Sequence, residues 1–251
     1  MNSEKLNESY LISGASRGIG RAISERLMAE GFRVTGIGRH FDSALTEHSN
    51  FDPLVVDLSL LDQLPEQFKQ LRANTPALEG VICCAGYGRF GSLEQFSQQQ
   101  IRSLIDLNLT SQILLVREFL PVLKRQGYGN LVIIGSEAAL SGGRNGAIYS
   151  ASKFALRGFA QSLREECAAS GVRVGIVNPG MVATDFFQEL DFRPGSSQDQ
   201  HLTTHDVADA VWLMLNARQG AAIDEINLSP QKRVIEFGKP EQRKKEKKER
   251  E

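Results

Sequence analysis

Short apolar runs recur along the chain, and segments of helical period fill the spaces between them. The runs fall at 10–12, 32–37, 54–56, 81–86, 131–134, 172–177 and 225–228. Leu131-Val132-Ile133-Ile134 is the sharpest: consecutive apolar residues suit a strand buried on both faces, as in a parallel sheet. Between the runs, Ile23, Leu27 and Met28, then Ile101, Leu104, Ile105, Ile113 and Leu120, then Leu156, Phe159 and Leu163, then Val207, Val211 and Leu215 recur at helical intervals. Strand and helix alternate, which specifies an α/β fold with helices packed on a parallel sheet. A chain of 251 residues with 41% hydrophobic residues can fill one such core, so a single domain over 1–238 is expected.

The ends of the runs carry the polar and glycine residues. Run 10–12 leads into Ser13-Gly14-Ala15-Ser16-Arg17-Gly18-Ile19-Gly20 and then a helix. A strand, glycine turn and helix in that order let the backbone approach a pyrophosphate, while the helix N–H groups and dipole receive its charge. Run 32–37 ends in Gly38-Arg39-His40, where a carboxylate would be needed to read a free ribose 2′-hydroxyl. No acid stands there. Arg39 and Arg17 can instead bracket a 2′-phosphate, which favours NADP(H) over NAD(H). The run at 54–56 reads as a short buried strand capped by Asp57, with Leu58 after it. Asp57 has two readings, accepting from an adenine amino group or N-capping a helix that starts near Leu60. Cys84-Ala85-Gly86 ends the next run, at the kind of strand end where an open α/β sheet meets its ligand.

A second constellation gathers further on. Residues four apart on a helix share a face, so Tyr149 and Lys153 would place a phenol beside an ammonium; the alternative is an accidental pair with Lys153 solvated. A free tyrosine has a pKa of about 10, and bringing it to neutral pH takes roughly 4 kcal/mol of preferential stabilisation of the phenolate. A fixed cation nearby is one source. Ser136 ends the strand 131–134 and can fold back toward Tyr149 across the loop that holds Gly142, Gly143 and Gly146; the alternative is a simple turn residue. Asn108 lies within the apolar helical stretch 101–123, either as a satisfied structural amide or as part of a water or ligand network. Residues 181–202 have weak periodicity and several apolar side chains, the pattern of a lid.

Composition excludes several classes of partner. A formal net charge of -1 gives no general attraction to nucleic acid or to an anionic membrane. Cys83, Cys84 and Cys167 lack metal-ligand spacing and read as reduced thiols. No segment has the roughly 20 apolar residues that span a bilayer, and residues 1–8 have no apolar leader, so a cytoplasmic protein is expected. The mixed-charge stretch 239–251 reads as a solvated, disordered tail.

Ser13-Gly14-x-x-x-Gly18-x-Gly20, Cys84-Ala85-Gly86, Asn108, Ser136, Tyr149-x-x-x-Lys153 and Asn178-Pro179-Gly180 stand in the order and at the separations of the short-chain dehydrogenase/reductase family. The chain resembles that family over about residues 8–229. Two positions depart from it: Ser13 stands for the usual threonine, and Cys83-Cys84 for the usual Asn-Asn. The resemblance implies a Rossmann-like, doubly wound sheet of seven parallel strands with helices on both faces. It implies that Tyr149 exchanges a proton with a carbonyl oxygen, that Lys153 holds the nicotinamide ribose and lowers the Tyr149 pKa, and that Ser136 hydrogen-bonds the carbonyl. Asn108 would hold a water leading from Lys153 to solvent. Pro179, Gly180, Val182 and Thr184 would meet the nicotinamide carboxamide, and Gly14, Ser16, Arg17, Gly18, Ile19, Gly20, Arg39, Asp57, Leu58, Cys84, Ala85 and Gly86 the rest of the dinucleotide. An NADPH-dependent carbonyl reductase, reversible as an alcohol dehydrogenase and assembled as a homodimer or homotetramer, is the activity implied; a non-catalytic NADPH sensor is the alternative. Arg144 and Arg193 are open as contacts for an acidic substrate, and Tyr87, Phe90, Met181, Phe186, Phe187 and Phe192 as an apolar mouth.

Overall fold

The computed structural model describes residues 9–75 and 77–238. The strands are β1 (Ser9–Ser13), β2 (Arg33–Gly38), β3 (Phe51–Val55), β4 (Gly80–Cys83), β5 (Gly129–Ile134), β6 (Val172–Pro179), β7 (Phe192–Pro194), β8 (Glu225–Leu228) and β9 (Ile235–Phe237). The helices are α1 (Gly18–Ala29), the single turn α2 (Ser43–Thr46), α3 (Leu64–Ala73), α4 (Gln98–Ile105), α5 (Ser111–Gln126), α6 (Ala147–Cys167) and α7 (Thr204–Leu215). One sheet has the order β3-β2-β1-β4-β5-β6-β8, and every neighbouring pair in it is parallel. The chain winds outward from β1 to β3, then returns to lay β4 on the other side of β1. That reversal opens a crevice between β1 and β4 at the C-terminal edge of the sheet.

Alternation along the strands divides the core into two layers. Tyr10, Ile12, Val132, Ile134 and Val177 point to the side covered by Ile23, Leu27, Val207, Val211 and Met214 of α1 and α7. Leu11, Leu131, Ile133, Val174 and Ile176 point to the other, against Phe68, Leu115, Phe119, Leu156 and Leu163 of α3, α5 and α6. Both faces are covered, the burial that continuous apolar runs require.

Several local expectations change. The strand expected at 54–56 is β3 at 51–55, and it lies on the sheet edge with Val55 69% exposed rather than buried. Pro53 fits that position, since an edge strand has one side free of ladder bonds. The stretch 101–123 is two helices joined by a π turn at residues 106–110, and Asn108 sits in that turn. Residues 181–202 are ordered rather than an open loop: Val182 bridges to Leu202, and β7 pairs antiparallel with β9. The chain thus continues past β8, which reads as the last strand from sequence, into β9. Expectations for 239–251 lie outside the described residues. No helix among the described residues is long and apolar enough to cross a membrane.

A buried polar network pins the crevice. The Ser13 hydroxyl donates to Gln112 Oε1 at 2.7 Å and accepts from the Cys84 and Ala85 N–H groups at 3.0 and 3.2 Å. Gln112 donates on to Ser111 Oγ at 2.8 Å. One hydroxyl thereby ties β1, the end of β4 and α5 together. Ser13→Ala strands two buried N–H donors and a carbonyl oxygen, and we expect a loss of roughly 2–3 kcal/mol of stability, read as a lower urea midpoint with unchanged slope. An unchanged midpoint would show that the network carries no such weight.

Candidate active site

The glycine turn is built by close approach. The N–H groups of Gly14 and Ala15 donate to the Ile37 carbonyl at 2.8 and 3.1 Å, folding the turn over the end of β2. Gly14 has φ +71°, and a Cβ there would lie 2.9 Å from Ala85 Cα; a Cβ on Gly20 would lie 2.2 Å from the Gly14 oxygen. Only glycine fits either place. Helix α1 begins at Gly18 with no side-chain cap from Arg17 and no acid in its first turn. Gly18, Ile19 and Gly20 line a cavity of about 1140 Å³. Uncapped N–H groups at a helix start that faces a cavity fit an anionic group such as a pyrophosphate.

Ser16, Arg17, Arg39, Asp57 and Leu58 extend the same wall. Among the described residues, neither Arg17 nor Arg39 forms an ion pair. Asp57 does not cap a helix: its carboxylate accepts from the Ser59 N–H at 2.9 Å and the Ser59 hydroxyl at 2.7 Å, and α3 starts later, at Leu64. The Ser59 bonds, with a smaller contribution from the charge of Arg39, hold its pKa below the usual carboxylate value.

Across the crevice, α6 begins at Ala147, which puts Tyr149 and Lys153 on one face of its first turns. Both are buried, 8% and 6% exposed. Ser136 follows β5 and accepts from the Ala138 N–H at 3.1 Å, and its hydroxyl lies near enough to the Tyr149 phenol to act on its acidity. Lys153 donates to the Ile134 carbonyl at 3.0 Å, its ammonium 5.8 Å from the centre of the Tyr149 ring. Tyr149, Ser136 and Lys153 therefore meet, and all three line the cavity that the glycine turn lines. Cys84, Ala85, Gly86, Pro179, Gly180, Val182 and Thr184 line it too.

Asn108 is placed differently. It is fully buried behind the wall: Oδ1 accepts the Tyr87 N–H and Nδ2 donates to the Tyr87 oxygen, each at 2.9 Å, and Nδ2 also donates to Ser152 Oγ at 3.4 Å. A Cβ on Gly86 would lie 3.1 Å from that Oδ1. The side chain braces the segment after β4.

Electrostatics also depart from expectation. Burial pushes the Tyr149 phenol up to about 12; the Ser136 hydroxyl works against this and the charge of Glu137 adds to it. Burial thus leaves the phenol above its ordinary value, where the resemblance implied a lowering. Lys153 itself is brought down to about 8 by burial. At neutral pH the pair is a phenol beside an ammonium, a proton donor poised next to a cation. The carboxylate of Glu137 in the cavity wall escaped the sequence reading. Phe90, Phe186, Phe187 and Phe192, open from sequence as an apolar mouth, do line the cavity, and their rings close a circuit with Tyr149. Arg193, open from sequence as a substrate contact, pairs instead with Glu236 at 2.8 Å.

A charged Lys153 costs stability while it is buried. That cost is fully present below about pH 8 and is relieved as pH rises toward the 10.5 of a free lysine. Wild type should therefore gain roughly 1–3 kcal/mol over Lys153→Met as pH rises from about 8 to about 10, measured by urea unfolding at stepped pH. Parallel curves would mean that Lys153 is solvated.

Comparison with known proteins shows the family. A family profile described as short chain dehydrogenase matches residues 8–193. Carbonyl reductase family member 4 of Xenopus laevis is 32% identical over 182 residues, 71% of this chain and 77% of that protein. The 3-oxoacyl-[acyl-carrier-protein] reductase of Escherichia coli is 30% identical over 184 residues, 72% of this chain and 75% of that protein. A metagenomic short-chain oxidoreductase solved in complex with NADP superposes with a TM-score of 0.77 at 28% identity, covering 91% of this chain and 99% of that one. The chain, an α/β protein with a parallel seven-stranded sheet and this cavity at its edge, belongs to the short-chain dehydrogenase family of oxidoreductases.

Proposed function

We propose that the protein reduces a carbonyl to an alcohol at the expense of NADPH, and runs the reverse reaction when the alcohol and oxidised cofactor are supplied. The observation that carries this reading is that Tyr149, Ser136 and Lys153 line the same cavity as the glycine turn, Arg17 and Arg39. The bound nicotinamide supplies hydride to the carbonyl carbon. Tyr149, protonated at neutral pH, donates its proton to the carbonyl oxygen as that oxygen gains charge. The Ser136 hydroxyl, which lines the same cavity as the phenol, holds the oxygen in place and stabilises the developing oxyanion. Lys153, beside Tyr149 in the cavity wall, would hold the ribose hydroxyls of the cofactor, and its ammonium would favour the phenolate left behind.

Arg17 and Arg39 support NADPH over NADH, because two guanidiniums without ion-pair partners can close on a 2′-phosphate. The NADP found with the metagenomic relative agrees with that choice. Gly14, Gly18, Ile19 and Gly20 hold the pyrophosphate, Ser16 the adenosine end, Asp57 and Leu58 the adenine, and Pro179, Gly180, Val182 and Thr184 the nicotinamide. Cys84, Ala85 and Gly86 form the floor, with Asn108 bracing them. Residues 181–202 act as the lid of a single catalytic domain. Phe154, 44% exposed on α6, is apolar surface available to a homodimer or homotetramer, and the reading places the protein in the cytoplasm.

The test pairs turnover with binding. Wild type should oxidise NADPH faster than NADH with members of a ketone and aldehyde panel. Tyr149→Phe should lose roughly 10²- to 10⁴-fold in kcat while NADPH protects both proteins equally against thermal unfolding. A Tyr149→Phe variant as active as wild type, or a wild type bound to NADPH and inert toward the whole panel, would defeat the proposal.

A further inference from the structure

Glu137 follows Ser136 directly and opens the short turn that leaves β5. Its side chain is half-buried in the cavity wall, and one carboxylate oxygen lies 3.2 Å from where a Cβ on Gly180 would stand. Among the described residues this carboxylate accepts no hydrogen bond and forms no ion pair, yet its charge reaches Tyr149. For an uncharged ketone that placement is a handicap. A negative group beside the proton donor resists formation of the phenolate and opposes the charge that grows on the carbonyl oxygen.

The rings around Tyr149 form a closed circuit. Tyr149 meets Phe90 at 5.2 Å, Phe90 meets Phe192 at 4.9 Å, and Phe192 meets Phe187 at 5.8 Å between centroids. Phe187 meets Phe186 at 5.0 Å, and Phe186 returns to Tyr149 at 5.9 Å. All five line the cavity. Ring faces attract cations, most strongly where water is excluded, and they also pack against flat apolar groups. Apart from Arg17, Arg39 and Asp57 on the glycine-turn wall, the charges that line the cavity are Glu137, Asp185, Glu189 and Asp191 against Lys153, Arg144 and Arg233. Acids outnumber bases there, so the field favours a cation.

The geometry points to a carbonyl substrate that bears a protonated amine, its ammonium between Glu137 and the aromatic circuit and its carbonyl oxygen at Tyr149 and Ser136. This assignment rests on the carbonyl-reductase reading and names its substrate class. The amine supplies the missing partner of Glu137 and removes the handicap, so Glu137 acts as a specificity residue and not as the proton donor.

The test uses an aryl aminomethyl ketone and the aryl ethyl ketone of the same shape, together with the corresponding amino alcohol and plain alcohol as binding probes. Wild type and Glu137→Gln are compared by kcat/KM with NADPH and, independently of turnover, by calorimetric binding of the two alcohols to the protein loaded with oxidised cofactor. Wild type should prefer the amine of each pair by about 10-fold. Glu137→Gln should abolish that preference while reducing the neutral ketone as fast as wild type or faster. A preference of equal size in both proteins, or a wild-type preference for the neutral compound, overturns the assignment even when reduction proceeds. If neither ketone is reduced but wild type still binds the amino alcohol more tightly and the variant does not, the reductase reading falls and the Glu137 subsite stands.

Discussion

Because all seven strands of the sheet run the same way, whatever residue ends a strand is delivered to one edge. Gly14 after β1, Arg39 after β2, Asp57 after β3, Cys84 after β4, Ser136 after β5 and Gly180 after β6 are far apart in the chain and share one cavity wall for this reason. The winding reversal between β1 and β4 keeps that edge open where neighbouring loops diverge to opposite faces. Ser13 holds the opening at a fixed width, since its hydroxyl bonds both the β4 end and α5.

The second requirement is electrostatic. A phenol and an ammonium are buried side by side, and burial acts on them in opposite directions, pushing Tyr149 toward its neutral acid and Lys153 toward its neutral base. The result at neutral pH is an acid that keeps its proton until something near it gains negative charge. Reduction of a carbonyl produces such a charge; binding alone does not. In the proposed reaction Tyr149 would then act as a proton donor, with the energetic work of making the phenolate deferred to the moment of hydride transfer. Glu137 makes that moment harder unless a positive group faces it.

Much of this arrangement was legible in the residues. Continuous apolar runs such as 131–134 announce strands covered on both faces, and Tyr149 with Lys153 shares a face by helical spacing alone. Ser136 became meaningful only through its relation to Tyr149, and the fold supplies that relation with one short turn. Other features left no local signal. Strands β7 and β9 are three residues each, too short for periodicity, and they are ordered by pairing with each other across the chain. Asn108 reads as an amide in a helix, but the π turn and its partner Tyr87 depend on tertiary packing. Val55 is apolar in sequence and exposed in space, because edge position outranks composition. The family likeness also concealed Glu137: a shared motif directs attention to Ser136 and away from the acid that follows it.

The central claim is that this cavity brings a carbonyl carbon to a nicotinamide and a carbonyl oxygen to Tyr149 in the same complex. A single turnover with NADPH carrying deuterium at its transferable ring position, followed by mass analysis of the product, tests it most directly. The account predicts an alcohol with one deuterium on its carbinol carbon and a proton from solvent on its oxygen. Cofactor that binds and keeps its deuterium against every carbonyl offered, or alcohol that forms without the label, would contradict it.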